Sequence, residues 1–576
     1  MRRTMIVLAC ALALVTARSA AQQGGMAHAF ELERRGEYQA AADAYRAVLT
    51  AKPADPAALL GLERVLVPLN RAGDLLHEVR AALASKSVTG VVYGVALRTW
   101  AAADQPDSMR AVVERWAALA PADETPYREW GAAALGRRDH QGAVAAYNLG
   151  RQRLRKPDAL AAELAQLAVM DGNYSEALRE WLAAVRRLPG YRVSAVGTLS
   201  QAPVDARQSL LRDLRREDDF VAHRLEAELR VRWGDPAGGL RTLMDALPRE
   251  RAPAAEALRA LVDQLRVQQT PEGRLAFARG LEALADHSLE PDRSRLRLDA
   301  ARAYTSAEDR DAARRMLAGL TTDSSASGQV AAGASAALVQ VLIEEGHLDE
   351  AGTRLAEAGS ALSADERQSL RLRLVAGWLR EGDLPKAETS LGRDSTVEGL
   401  ALSGKIHLFQ GDVAGAVERF SKAGPYAGDR SEATGRTSLL ALLQPIDVDS
   451  VPALGRAMLR LEQRDTSRAI SGLEEAAGSL PVSRGGAGVV FFAGRLAAAS
   501  GNRADAERLF RSAAVKEAPA TAPAAELALG ELLMSQNRAS EAVTQLEHLI
   551  LTYPESALVP QARRRLDQAR GAIPKT

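Results

Sequence analysis

Apolar residues recur along this chain at helical rather than strand spacing. Leu240, Leu243 and Leu247 lie three and four positions apart, the interval that places side chains on one face of an α-helix. A longer period overlies the helical one. Ala143, Tyr147 and Gly150 return 34 residues later as Ala177, Trp181 and Ala184. Pro53, Pro121 and Pro189 are spaced by 68, twice 34, and Gly36-Glu37-Tyr38 returns as Gly172-Asn173-Tyr174 after 136, four times 34. A period of this length, held by four residue types together, marks a stack of equivalent supersecondary units.

The residue types suit a unit of two antiparallel helices. Glycine or asparagine accepts the positive φ that a tight helix–helix turn requires. Alanine or glycine at the crossing lets two backbones approach, an aromatic fills the wedge between hairpins, and proline stops the second helix. One hairpin cannot bury its apolar face alone, so stability comes from stacking neighbours. The pattern is clear near residues 22–56 and 122–190, fades across 190–330, and returns. Gly346-His347-Leu348 precedes Ala351, and Gly382-Asp383-Leu384 precedes Ala387. Gly411-Asp412-Val413 precedes Ala416, Phe420 and Ala423, while Gly501-Asn502 precedes Ala506, Phe510 and Ala513. Asn537 precedes Ala542, Leu546 and Pro554. Pro68 falls where a first helix should run, which disfavours a regular second unit. Asp235-Pro236 reads as a turn, Ser324–Ser335 as a loop between sub-arrays, and Gly485-Gly486-Ala487-Gly488 as a flexible linker before a helix.

At 576 residues the chain exceeds what one hydrophobic core fills, which a repeat array accommodates. Ala, Leu, Arg and Glu dominate and aromatics are only 4%, so the expected class is all-α. The 74 basic residues balance 73 acidic ones, leaving no electrostatic footprint for nucleic acid.

The repeated residues resemble the tetratricopeptide repeat. Gly172-Asn173-Tyr174 matches its inter-helix turn, Ala177 the small crossing residue, Trp181 the large core residue, Ala184 the next small one and Pro189 the stop. Gly36, Tyr38, Ala41, Tyr45 and Pro53 match in the first unit, and Tyr127 and Gly131 match on the first helix of another. The resemblance implies a right-handed superhelical solenoid of antiparallel helix hairpins. The stretch from Tyr553 through Leu566 is similar to the last repeats of bacterial envelope proteins of this kind, with Leu558–Arg570 as a capping helix. The expected organisation is a signal peptide at 1–21, a repeat array over 22–190, a degenerate helical region over 191–330, a second array over 331–554, and a cap and tail over 555–576.

Arg2 and Arg3, the apolar Met5–Val15 and the small Ser19-Ala20-Ala21 form a signal-peptide pattern. Export to the periplasm or medium is expected, with cleavage near Gln22. The single cysteine, Cys10, lies inside the apolar stretch, a placement that disfavours lipid attachment. No later apolar run is long enough for a transmembrane helix.

Catalytic patterns are missing. The closest two of the eight histidines, His28 and His77, are 49 residues apart, so no i,i+4 metal pair forms. No nucleophile elbow or phosphate loop occurs. Neither a cofactor nor a metal is expected.

In the family the chain resembles, first helices line a concave groove. Carried onto this sequence, that rule places Ala162, Gln166 and Met170 there in one unit, Arg128, Ala132 and Leu135 in the unit before it, and Val92, Ala96 and Trp100 in the unit ending at Pro121. Towards the C-terminus it places Lys405 and Phe409, then Phe491 and Arg495. Arginine and aromatics make effective anchors, so Trp100, Arg128, Lys405, Phe409, Phe491 and Arg495 are the candidate binding residues. The expected function is a non-catalytic envelope scaffold that binds partner proteins or peptides. The alternatives are an enzyme with an unrecognised domain within 191–330, and a structural component that self-associates.

Overall fold

The computed structural model describes residues 24–86, 88–424 and 429–572. The expected signal peptide and Cys10 lie outside the described residues. Among the described residues every regular element is a helix, apart from a single bridge between Asp412 and Ser450. No helix among the described residues is long and apolar enough to cross a membrane. The fold is an all-α solenoid of antiparallel hairpins, divided into two compact units, Met1–Ala276 and Phe277–Thr576.

One local device builds the hairpins of both units. The first helix ends in a residue with left-handed backbone, the next residue caps the second helix, and a small residue four positions after the cap lies at the crossing. Gly36, Gly172, Gly346, Gly382, Gly411 and Gly501, the expected turn glycines, have φ between +74° and +89°. At other turns the same conformation is held by Asp104, Arg138, Glu308, Arg464 and Asn537, with φ of 55–64°. What persists better than glycine is the cap. Asp139, Asn173, Asp235, Asp309 and Asp465 each accept the backbone N–H three residues on, at 2.8–3.2 Å, satisfying a donor that the helix start leaves orphaned.

The crossing fixes the register. Ala177 is fully buried, Trp181 is the largest fully buried side chain of the first unit, and Arg179 points to solvent. Sixteen residues before each large core residue stands a small one on the first helix. A Cβ added to Gly404 would sit 2.6 Å from the ring of Phe420, and one on Gly494 would sit 2.8 Å from Phe510. The aromatic occupies the space that a side chain there would need.

In the first unit, second helices begin at Pro106, His140 and Tyr174, 34 residues apart. The helix Pro56–Leu66 stops just before Pro68, and a 3-10 turn and the short helix Leu76–Ala84 complete that irregular unit. The 191–330 stretch is helical, with Asp235 capping Pro236–Asp245 and Leu240 and Leu243 buried beneath it. Gly239 stands at that crossing, where a Cβ would meet the Ala227 carbonyl oxygen at 2.6 Å. The signature survives here as Asp, Gly and Leu without an aromatic.

Two expectations in the second unit are corrected. Ser324–Ser335 is not a long loop, because Ser327 caps a helix running over Gly328–Glu345. Alanine enrichment there reflects helix formation, and the connection is five residues long. Gly485-Gly486 is not a flexible linker. Both glycines are buried, Gly485 has φ +98°, and a Cβ on it would lie 2.5 Å from Ile446. The chain ends its described part in the helix Val559–Gly571, which buries Val559, Ala562, Leu566 and Ala569 on one face, the arrangement expected of a cap.

The second unit also departs from simple pairing. A helix over Arg430–Leu443 follows the hairpin Val397–Gln410/Val413–Ala423 and precedes the hairpin Pro452–Glu462/Thr466–Gly478. Those two hairpins stack directly, with Gly455 so close to the preceding first helix that a Cβ would fall 2.7 Å from the carbonyl oxygens of Leu408 and Phe409. The Val451 N–H donates to the Gly411 carbonyl at 2.7 Å, pinning the returning chain to the hairpin turn. Helix Arg430–Leu443 is thus an insertion that the stack does not require.

Candidate binding surfaces

In the first unit, the first helices carry a ladder of ion pairs. Glu33 accepts from Arg64 (2.8 Å) and from the Tyr45 hydroxyl (2.6 Å). Arg98 grips Glu63 through two bonds of 2.6 and 2.9 Å and reaches Glu129 at 3.3 Å. Arg128, on the next rung, binds Glu163 and also Glu124 at 3.1 Å. The partners are 31 to 35 residues apart because neighbouring positions of adjacent repeats face one another. The Arg64 guanidinium holds the Glu33 carboxyl below the usual carboxylate range, and burial together with Glu33 pushes the Tyr45 phenol up to about 12.

Two candidate residues fall within this unit. Arg128 is half-buried and engaged by two carboxylates. Trp100 is 7% exposed and belongs to the core. Its helix, Gly90–Ala102, packs against Pro56–Leu66, Leu76–Ala84, Pro106–Leu119 and Thr125–Gly136. The irregular second repeat supplies two of these four neighbours, and the groove-facing register buries Val92 and Ala96 as well.

The second unit brings the other four candidates together in two pairs. Lys405 and Phe409 line a cavity of about 720 Å³ between the first helices Ala364–Glu381, Val397–Gln410 and Pro452–Glu462, walled by the inserted helix Arg430–Leu443. Phe409 is buried, and Lys405 pairs with Glu462 at 3.1 Å. Phe491 and Arg495, on Ala487–Ala499, line a trough of about 870 Å³ that continues over Ala522–Ser535 to Leu558. Phe491 packs tilted against Phe510 with centroids 5.8 Å apart. Leu527 and Leu532 extend the apolar floor. Arg495 is exposed and has no ion-pair partner among the described residues. Glu531, in contrast, is held by Arg565 at 2.8 Å.

The repeat register points to these four residues, and the structure brings them together in two pairs; the register does not reveal what encloses the first pair. The inserted helix carries no repeat signature, so its part in the cavity wall was visible only in three dimensions. Among the described residues no group of three or more His, Cys, Asp or Glu is placed to hold a metal.

No family model matches the chain, and no curated protein matches it. Among solved structures, it aligns with that of Naa15/Naa10 bound to HypK-THB at 13% identity, covering 96% of this chain and 97% of that one with a TM-score of 0.24. It aligns with the APC/C hetero-tetramer Cut9-Hcn1 at 13% identity, covering 94% and 95% with a TM-score of 0.21. Scores this low carry no argument about function, and the description of the chain as a helical-hairpin solenoid rests on its own geometry.

Proposed function

We propose that this protein is a non-catalytic scaffold of tetratricopeptide type in the bacterial cell envelope, binding partner proteins or peptides through the first-helix face of its second unit. The observation that carries this reading is the trough around Phe491 and Arg495. It combines an aromatic anchor, an apolar floor and an unpaired guanidinium, which is the composition of a binding hot spot. A first-helix face with no ligand to bind would be expected to satisfy its own charges, as the repeats from Glu33 to Glu163 do. The envelope location rests on the pattern of residues 1–21.

Affinity capture from an envelope extract tests the binding reading. The full chain is expected to retain a defined partner that Arg495→Ala and Phe491→Ala each release, with helical content unchanged. Equal retention by both variants would contradict it, and a concentration-dependent mass with no partner would favour self-association. Mass spectrometry of the exported protein should find a mature N-terminus near Gln22, whereas intact Met1 in the cytosol would refute the envelope location.

A further inference from the structure

We infer that the cavity beside the inserted helix is a second, separate binding site, and that it takes a small amphiphile with an apolar body and no net charge. Three observations carry this. The chamber, about 720 Å³, lies within the range that small-molecule sites occupy. Its floor is apolar and partly aromatic, made by Leu372, Leu402, Phe409, Leu439, Met458 and Phe492. Its charged lining is balanced: Arg373, Lys405 and Arg436 against Glu398, Glu432 and Glu462.

The balance selects the ligand. A fatty-acid anion would bring its carboxylate among three carboxylates as well as three cations, and an alkyl cation would meet the converse. Arg373, Glu398 and Glu432 are exposed at the mouth, so either ion meets as many like charges as opposite ones there and gains no net attraction to offset the hydration it gives up on entering the apolar floor. A neutral or zwitterionic head group suffers no such penalty, and it finds donors and acceptors together. Lys405 and Glu462 are already paired at 3.1 Å, so they present a dipole rather than a net charge. Arg373, Glu398 and Glu432 have no ion-pair partner among the described residues, which leaves each able to hydrogen-bond a polar head.

The wall is specific to this unit. The inserted helix supplies Glu432, Gly435, Arg436, Ser438 and Leu439 to the cavity. Arg436 is 4% exposed and donates to the Gly424 carbonyl at 2.9 Å. A buried arginine tied to the backbone holds the helix in place against the chamber. Because the flanking hairpins stack without this helix, enclosing the chamber is the role its position leaves.

A fluorescence titration of the full chain with the neutral apolar dye N-phenyl-1-naphthylamine tests the inference. Binding should saturate at one dye per chain. The anionic dye 8-anilinonaphthalene-1-sulfonate should bind at least about tenfold more weakly, since its charge meets a lining that offers no net compensation. Ala376→Phe and Ala401→Phe, which fill the chamber from two helices, should each weaken the neutral dye by about tenfold or more. Should either variant lower the melting temperature, Ser369→Trp at the exposed rim gives the same readout. No saturable binding, a preference for the anion, or binding indifferent to all three substitutions would overturn the proposal. Organic extraction of purified protein then separates the sources. A membrane lipid or a free small molecule, recovered from the unaltered chain and missing from Ala401→Phe, supports the site, and equal recovery from both overturns it. When nothing survives purification, the dye titration decides alone. The trough reading fails or stands separately, through partner capture by Arg495→Ala.

Discussion

The two units use one hairpin device and differ in what their first-helix faces do with charge. In the first unit Glu33, Glu63, Arg64, Arg98, Arg128, Glu129 and Glu163 pair from repeat to repeat. In the second, Arg373 and Arg495 border apolar recesses with no ion-pair partner among the described residues. The repeat supplies the surface, and the residues added to it decide whether that surface is sealed or available. A side chain's place on the groove-facing stripe alone therefore does not identify a binding residue: Arg128 and Arg495 lie on that stripe one helical turn apart in register, and only Arg128 is engaged by neighbouring carboxylates.

The largest expected effect separates the units by their cores. Trp181→Ala should destabilise the first unit by about 3–5 kcal/mol, the cost of removing a fully buried large side chain. Hydrogen exchange should show lost protection among residues 122–190 while 346–554 stay protected, because repeat arrays fail locally. Equal loss in both would mean one cooperative core. Ala177→Leu should cost about 1–3 kcal/mol by overpacking the crossing, while the exposed Arg179→Ala should change stability by less than about 0.5 kcal/mol. Comparable effects for the two would mean that the register is misplaced.

Smaller effects test the sealed face. Arg98→Ala should cost at most about 1 kcal/mol, because the pair is partly exposed, and less in high salt. Urea unfolding at two ionic strengths measures this. Glu33 gives the smallest effect. Its carboxyl is depressed in the folded state by the Arg64 bond, so its stabilisation is present above the unfolded value of about 4.3 and lost as pH falls through the lower folded value. Stability of the first unit should therefore decline on acidification below about pH 4.3, with a shallower decline in Glu33→Gln. An unchanged slope would remove Glu33 from the ladder's contribution.

Much of the fold was legible because the turn and crossing residues are chemically constrained. Gly172, Ala177 and Trp181 each occupy a position that few residue types fill. The turns at Asp104, Arg138, Glu308 and Arg464 carry no glycine and so lack the signal that marks the others, although the following Asp139, Asp309 and Asp465 cap three of them. Composition does not distinguish a solvated connection from the capped helix start at Ser327 or from a glycine packed against Ile446, as Gly485 is. Of the site, Phe491 and Arg495 were placed by register. The burial of Trp100 depended on an irregular neighbouring repeat, and the cavity on an inserted helix, neither of which a period reveals.

Site-specific photo-crosslinking compares the two faces in one measurement. A benzophenone amino acid at Ser535, on the trough of the second unit, should join the full chain to its partner in envelope extract. The same group at Gln166, exposed on a first helix of the first unit, should not. Partner adducts through Ser535 alone, abolished by Arg495→Ala, are the predicted result. Equal adducts through Gln166, or adducts at Ser535 that persist in Arg495→Ala, would contradict the division between a sealed and an available face.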